Sequence, residues 1–179
     1  MVVSSGSEPE DPGSSPGPAV RNKIMTKIIF AFSWGHQFPR PGLSNEVIAR
    51  AIDKIKNDFD IIIVQYEIGE ALKPYGFMPD YIIGQPGIYI NTFEVVDAMV
   101  KWTKSKKLDL RQCDIAIICH SAHWSGCKFI LKKFNISAHR LPIQIPYDLN
   151  SHQWYTRGSL RAFFGRVLHA LQYLLKGQI

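Results

Sequence analysis

Side chains able to transfer protons or hold a ligand gather in residues 113–134, CDIAIICHSAHWSGCKFILKKF. An apolar run at 115–118 passes into a polar turn carrying His120, Ser121 and His123, and a helical pattern follows at once. In a parallel α/β sheet, ligands bind beyond the carboxyl ends of the strands, where the next helix presents unpaired backbone N–H groups. His123 falls in the first turn of that helix. The positive helix end disfavours an imidazolium, and a neutral ring can accept or donate a proton. Its bland alternative is a histidine that only finishes the helix. His120 stands just off the strand, where it either meets a ligand or packs inward with its nitrogens satisfied. Glu67 and Glu70, after an earlier strand, are the candidate carboxylate partners, or else solvated residues of a short helix.

Other chemistries fit less well. Cys119, His120, His123 and Cys127 are ligand types for zinc, but zinc sites commonly use two separated ligand pairs. Cys127 shares an apolar helical face with Ile130, Leu131 and Phe134, and Cys119 ends a buried strand, so both thiols belong to the core and no metal is expected. Ser121 or Ser125 as a nucleophile would need an adjacent base, and the G-x-S-x-G elbow is absent. The loop after the first strand reads Ser33-Trp34-Gly35-His36-Gln37, too bulky for the G-x-G-x-x-G approach to a pyrophosphate. Trp34 there either stacks on a base or ring of a ligand or closes over the core.

The elements that position these residues alternate. Residues 27–33 (KIIFAFS) and 60–66 (DIIIVQY) read as buried strands, and 81–83 as a shorter one. Between the first two, Leu43, Val47, Ile48, Ala51, Ile52 and Ile55 recur at helical spacing, with Ser44 as the expected N-cap. Asn91 and Glu94 stand at capping-box spacing ahead of a helix that buries Val95, Val96, Met99 and Val100. Residues 140–145 form a fifth strand, interrupted by Pro142 and so expected at an edge. The last helix carries a continuous apolar stripe, Leu160, Phe163, Phe164, Val167, Leu168, Leu171, Leu174 and Leu175, expected to dock on the sheet. Strands alternating with helices, and strands apolar on both faces, predict a single three-layer Rossmann-like α/β domain with a mostly parallel sheet of about five strands. Its rim gathers Trp34 to His36, Tyr66-Glu67, residues 84–87, His120 to His123, and Pro146 to Asp148.

Composition sets the surroundings. Residues 1–22 are rich in Ser, Gly and Pro and read as a disordered tail ahead of a domain over 23–179. They lack the basic start and apolar run of a signal peptide, and no segment offers about 18 consecutive apolar residues for a membrane span. Three unpaired cysteines suit a reducing, cytoplasmic compartment. The formal charge of +6 becomes +9 beyond residue 20, since Glu8, Glu10 and Asp11 precede it with no Lys or Arg, which suits an anionic or phosphorylated small molecule. Lys101, Lys104, Lys106, Lys107 and Arg111 cluster with weak aromatic interleaving, Trp102 alone, which argues against nucleic acid.

In order, these elements resemble the YdcF/SanA/ElyC-like family of Rossmann-like proteins over residues 25–176. The points of contact are the opening strand, Glu70-Ala71, Asn91-Thr92-Phe93-Glu94, His123, and Arg161 in the final helix. The resemblance implies a pocket for a nucleotide-like molecule such as S-adenosylmethionine, with Asn91, Thr92, Glu94 and Arg161 joining Trp34, His36, His120 and Ser121 as ligand contacts. The placement of the residues, rather than the resemblance, makes His123 the expected acid/base, with Glu67 or Glu70 orienting the ligand. The chain departs from the pattern in having Trp34 and His36 for glycines, Gly126 for an arginine, and Ala162 for a glutamate. Two functional expectations follow. One is a small-molecule-binding protein, with an enzyme of nucleotide-like or phosphorylated compounds as its active form. The other is a non-catalytic binding or regulatory module that keeps the fold and the pocket.

Overall fold

The structure, a computed structural model, describes residues 25–177; the expected disordered tail over 1–22 lies outside the described residues. Five strands form one sheet: β1 (Thr26–Ala31), β2 (Ile61–Gln65), β3 (Tyr81–Ile83), β4 (Cys113–Ile118) and β5 (His139–Arg140). Every pairing is parallel and the order is β3-β2-β1-β4-β5. The order reverses at β1, whose two neighbours are β2 and β4. In this topology the crevice at such a reversal lies above the carboxyl ends of the central strands. Beyond Arg140 the Leu141 N–H still reaches β4, donating to Ile117 O at 2.9 Å, and Ile143 N then turns back onto Leu141 O at 2.8 Å, so β5 is an edge strand shorter than the predicted 140–145. Pro142 and Pro146 donate no backbone hydrogen bond, which is the reason it stops pairing.

The sheet is buried on both faces because its side chains alternate. Ile28, Phe30, Phe32, Ile115 and Ile117 face α3 (Thr92–Ser105) and α4 (Ser121–Lys133), meeting Val95, Val96, Met99, Cys127, Ile130 and Leu131. Ile29, Ala31, Ile62, Val64 and Ile118 face α1 (Leu43–Ile55) and α2 (Tyr66–Leu72), meeting Ile48, Ala49, Ile52, Ile68 and Leu72. Ser44 does not cap α1. Its hydroxyl donates to Pro146 O at 2.8 Å inside the protein, and the helix begins after Gly42 with the Leu43 N–H held by Asp148.

The last helix, α5 (Ser159–Leu175), corrects the expected docking of its apolar stripe. Its buried residues are Ala162 and Gly165, whereas Phe163, Phe164 and Leu168 are about half exposed and Leu175 is 88% exposed. Both faces of the sheet are already covered when the chain reaches residue 159. The helix packs instead beside α4 and on the turn at 154–156, with Gly165 so close that a Cβ there would lie 2.6 Å from Tyr155 Cβ.

Candidate functional site

A cavity of about 590 Å³ opens above the carboxyl ends of the central strands. Its walls come from the loop after β1, the start of α2, the loop after β3, the first turns of α3 and α4, and the inner face of α5. The sequence explains each wall. β2 ends in Gln65, and Ser33 and Gly84 follow within two residues of the ends of β1 and β3, small or polar residues that stop the apolar ladder, while the helices that follow turn their first residues back over the strand ends.

The loop after β1 is held by buried polar groups. Asn45 accepts from Trp34 N at 3.0 Å and donates to Gly35 O at 2.6 Å and Pro41 O at 2.7 Å. Ser151 Oγ accepts from His36 N at 3.1 Å, and a Cβ on Gly35 would lie 2.7 Å from that oxygen. Gly35 also has φ of 74°, so glycine is required there twice over. Asp148 is 1% exposed and accepts from Gln37 Nε2 at 2.7 Å, Leu43 N at 3.1 Å and Asn150 N at 3.1 Å. Its charge is met by these donors and by the N-terminus of α1 rather than by a cation. This wall is therefore fixed to α1 and to residues 148–151 by hydrogen bonds.

The two histidines after β4 divide in role. His120 is 1% exposed, lies flat against Trp34 at 4.6 Å between ring centres, and touches Tyr147 at 4.4 Å. Its Nδ1 accepts from Ala122 N at 3.1 Å, capping α4. Burial, with Arg140 nearby, pushes its pKa down to about 4. His123 does line the cavity. Its Nε2 pairs with Thr92 Oγ1 at 3.0 Å, while Nδ1 is buried without a partner. Its ring meets Phe32 edge-on and Trp34 at a tilt. Burial first, then His169 and His120, lower its pKa to about 3. Burial, more than any neighbouring charge, thus favours the neutral imidazole.

Beyond Thr92 the polar groups continue. The Tyr173 side chain meets Thr92, Tyr89 meets Tyr155, and Tyr89 Oη lies 3.3 Å from His169 Nε2. Burial pushes all three phenols up and the His169 imidazole down, so the cluster is neutral near pH 7. Glu67 and Glu70 stand on the opposite wall, with Glu70 paired to Lys73 at 2.7 Å. Arg40 and Arg166 are exposed at the cavity margin.

Of the predicted site residues, Trp34, His36, Glu67, Glu70, Thr92 and His123 converge on this cavity. The other five lie outside its lining. Asn91 and Glu94 are engaged in the capping box of α3, with Glu94 N donating to Asn91 Oδ1 at 3.0 Å and Asn91 N to Glu94 Oε2 at 2.8 Å. His120 is behind Trp34, packed inward as its alternative reading had it. Ser121 is exposed at the start of α4, and Arg161 is on the outer side of α5 beside a separate shallow depression. Tyr66, placed on the rim by the sequence, also lines the cavity, whereas sequence reasoning missed Tyr89, Tyr155, His169 and Tyr173, all of which line it. A signal existed for the last two. Ala162, Gly165, His169 and Tyr173 follow one another at helical spacing, a small and polar stripe opposite the large apolar one.

Among the described residues, no group of three or more His, Cys, Asp or Glu side chains is placed to hold a metal ion. Cys119 and Cys127 are buried in the core beside one another, as their apolar neighbours predicted. No family model matches the chain, and no curated protein matches it either.

Proposed function

We propose that the chain binds a nucleotide-like small molecule in the cavity above the strand ends. The cavity itself carries this reading. Its volume of about 590 Å³ falls in the range usual for small-molecule sites. Trp34, Tyr66, Tyr89 and Tyr155 offer aromatic surface to a base, as does the His123 ring in the same lining, Tyr173 offers a hydroxyl, and Arg40 and Arg166 offer charge to a phosphate or carboxylate. S-adenosylmethionine, suggested by the YdcF-like resemblance, is one such compound.

Two observations favour a binding module over an enzyme. Gly126 and Ala162 stand where the resemblance would place Arg and Glu, and both line the cavity; a Cβ on Gly126 would meet nothing within 4 Å. His123, the expected acid/base, has Nε2 occupied by Thr92 and Nδ1 buried. It is suited to fix a ligand's orientation rather than to carry a proton away.

A thermal-shift panel of adenine nucleotides, S-adenosylmethionine and sugar phosphates tests the reading. A nucleotide-like compound should raise the melting temperature, and calorimetry with that compound should show His123→Ala binding roughly tenfold more weakly. His139 lies in β5, 3.3 Å from Asp114 and away from the cavity, so His139→Ala should bind as the parent does. A panel without any shift, or equal affinity in all three proteins, would overturn the proposal. Chemical turnover of the bound compound would overturn the module in favour of the enzyme.

A further inference from the structure

We propose that the outward face of α5 seats in the surface of an anionic lipid bilayer. Eight large apolar side chains line that face, and their exposure runs from 47% at Val167 to 88% at Leu175. At about 100° per residue they span an arc of roughly 140°, wider than the seam of a two-helix contact. Soluble monomers rarely leave so continuous an apolar patch in water, and such patches mark protein or membrane contacts.

Charge decides between these. Residues 115–179 contain eight Lys and Arg and a single acidic residue, Asp148, which is buried. Arg161 and Arg166 flank the apolar face of α5, and α4, packed beside it, exposes Lys128, Lys132 and Lys133. Neither helix contains an Asp or Glu. A second copy pairing α5 on α5 would bring these cations together with no carboxylate on either helix to meet them. Anionic headgroups supply the missing charge, and the acyl region accepts the apolar arc.

The helix would lie in the interface rather than cross it. No helix among the described residues is long and apolar enough to span a membrane. The inner side of α5 is committed to the protein through Ala162, Gly165, His169 and Tyr173. Because that side is one wall of the cavity, lipid contact and ligand access share a single element. The lipid proposal does not depend on what the cavity binds.

The test is flotation of the full chain with phosphatidylcholine vesicles, with and without phosphatidylglycerol. The chain should float with the anionic vesicles, less so as salt is raised, and weakly or not at all with the neutral ones. Val167→Glu with Leu171→Glu should abolish flotation while the circular dichroism stays that of the parent. Lys132→Glu with Arg161→Glu should lower partitioning more than tenfold, since each cation at an anionic surface is worth roughly fivefold. No flotation of the parent with anionic vesicles overturns the proposal, as does equal flotation of either variant. A dimer in light scattering that the Val167/Leu171 variant dissolves, without vesicle binding by the parent, assigns the face to a second copy. Unfolding of that variant would place the face inside the protein and overturn the proposal as well.

Discussion

Helix α3 turns Val95, Val96 and Met99 into the sheet with no surface left exposed, whereas α5 turns Ala162 and Gly165 inward and leaves Phe163, Phe164 and Leu168 about half exposed. Both helices are strongly amphipathic, and α5 has the longer apolar stripe. The difference lies in what each meets. Helix α3 begins with a complete capping box and runs back under β3 and β1, where the apolar face of the sheet is still open. Helix α5 arrives after α1, α2, α3 and α4 have covered both faces, and only the turn at 154–156 and the side of α4 remain. Small residues fit that narrow space, as Gly165 against Tyr155 shows, and large ones are turned away. An apolar stripe says that a helix needs a partner. It does not say that the partner is its own sheet.

The largest test of this contrast is Met99→Ala. Met99 is fully buried between α3 and the sheet, so its truncation should cost about 2–5 kcal/mol in a denaturant titration. A loss below about 1 kcal/mol would mean that α3 is no better docked than α5.

Acid should act on the same buried region through His120. Its pKa of about 4 in the folded protein lies below the value of about 6.5 for a free imidazole. As pH falls below 6.5 the unfolded chain takes up the proton first, so stability should fall between pH 6.5 and 4, by about 3 kcal/mol from this residue. His123, lowered to about 3, extends the loss further into acid. His120→Asn keeps a good N-cap for α4 and should flatten the slope of stability against pH over that window. An unchanged slope would show that burial does not hold the ring neutral.

On the side of α5, Gly165→Ala probes the close approach. The added methyl would sit 2.6 Å from Tyr155 Cβ and 2.9 Å from Cγ, atoms that a rotamer change cannot carry far. The substitution should cost about 1–3 kcal/mol by overpacking, more than offsetting alanine's helix preference. It should also shift the fluorescence of Trp154, which stands in the same turn. Stabilisation instead would place α5 free of that turn.

The contrast also explains what could be read in advance. The strands β1, β2, β3 and β4, their parallel order and the capping of α3 follow from local patterns: β-branched runs, helical spacing, and Asn91 three residues before Glu94. The rim was legible for the same reason, since topology alone brings Trp34, Glu67 and His123 to one end of the sheet. The far wall was not. Tyr89, Tyr155 and His169 meet across up to 80 positions in sequence, and nothing local marks that meeting. His120 and His123 are three residues apart, and one packs behind Trp34 while the other faces the cavity. That split depends on the rotation of the α4 first turn, which spacing does not fix.

The smallest effect is the most discriminating. Phe164 sits mid-stripe on α5, where sequence alone would make it a core anchor whose truncation costs about 3–5 kcal/mol. The structure leaves it 53% exposed on the outward arc. Removing an aromatic ring that is already half in water deletes few protein contacts, and alanine is a better helix former than phenylalanine. Phe164→Ala should therefore change stability by less than about 1 kcal/mol in water. The same measurement on Met99→Ala supplies the scale. A loss approaching that of Met99 would bring the stripe back inside the protein and remove the exposed face on which lipid contact rests. A near-neutral result, joined to weaker flotation with anionic vesicles, would separate the two faces of α5 into one that completes the cavity and one that meets the membrane.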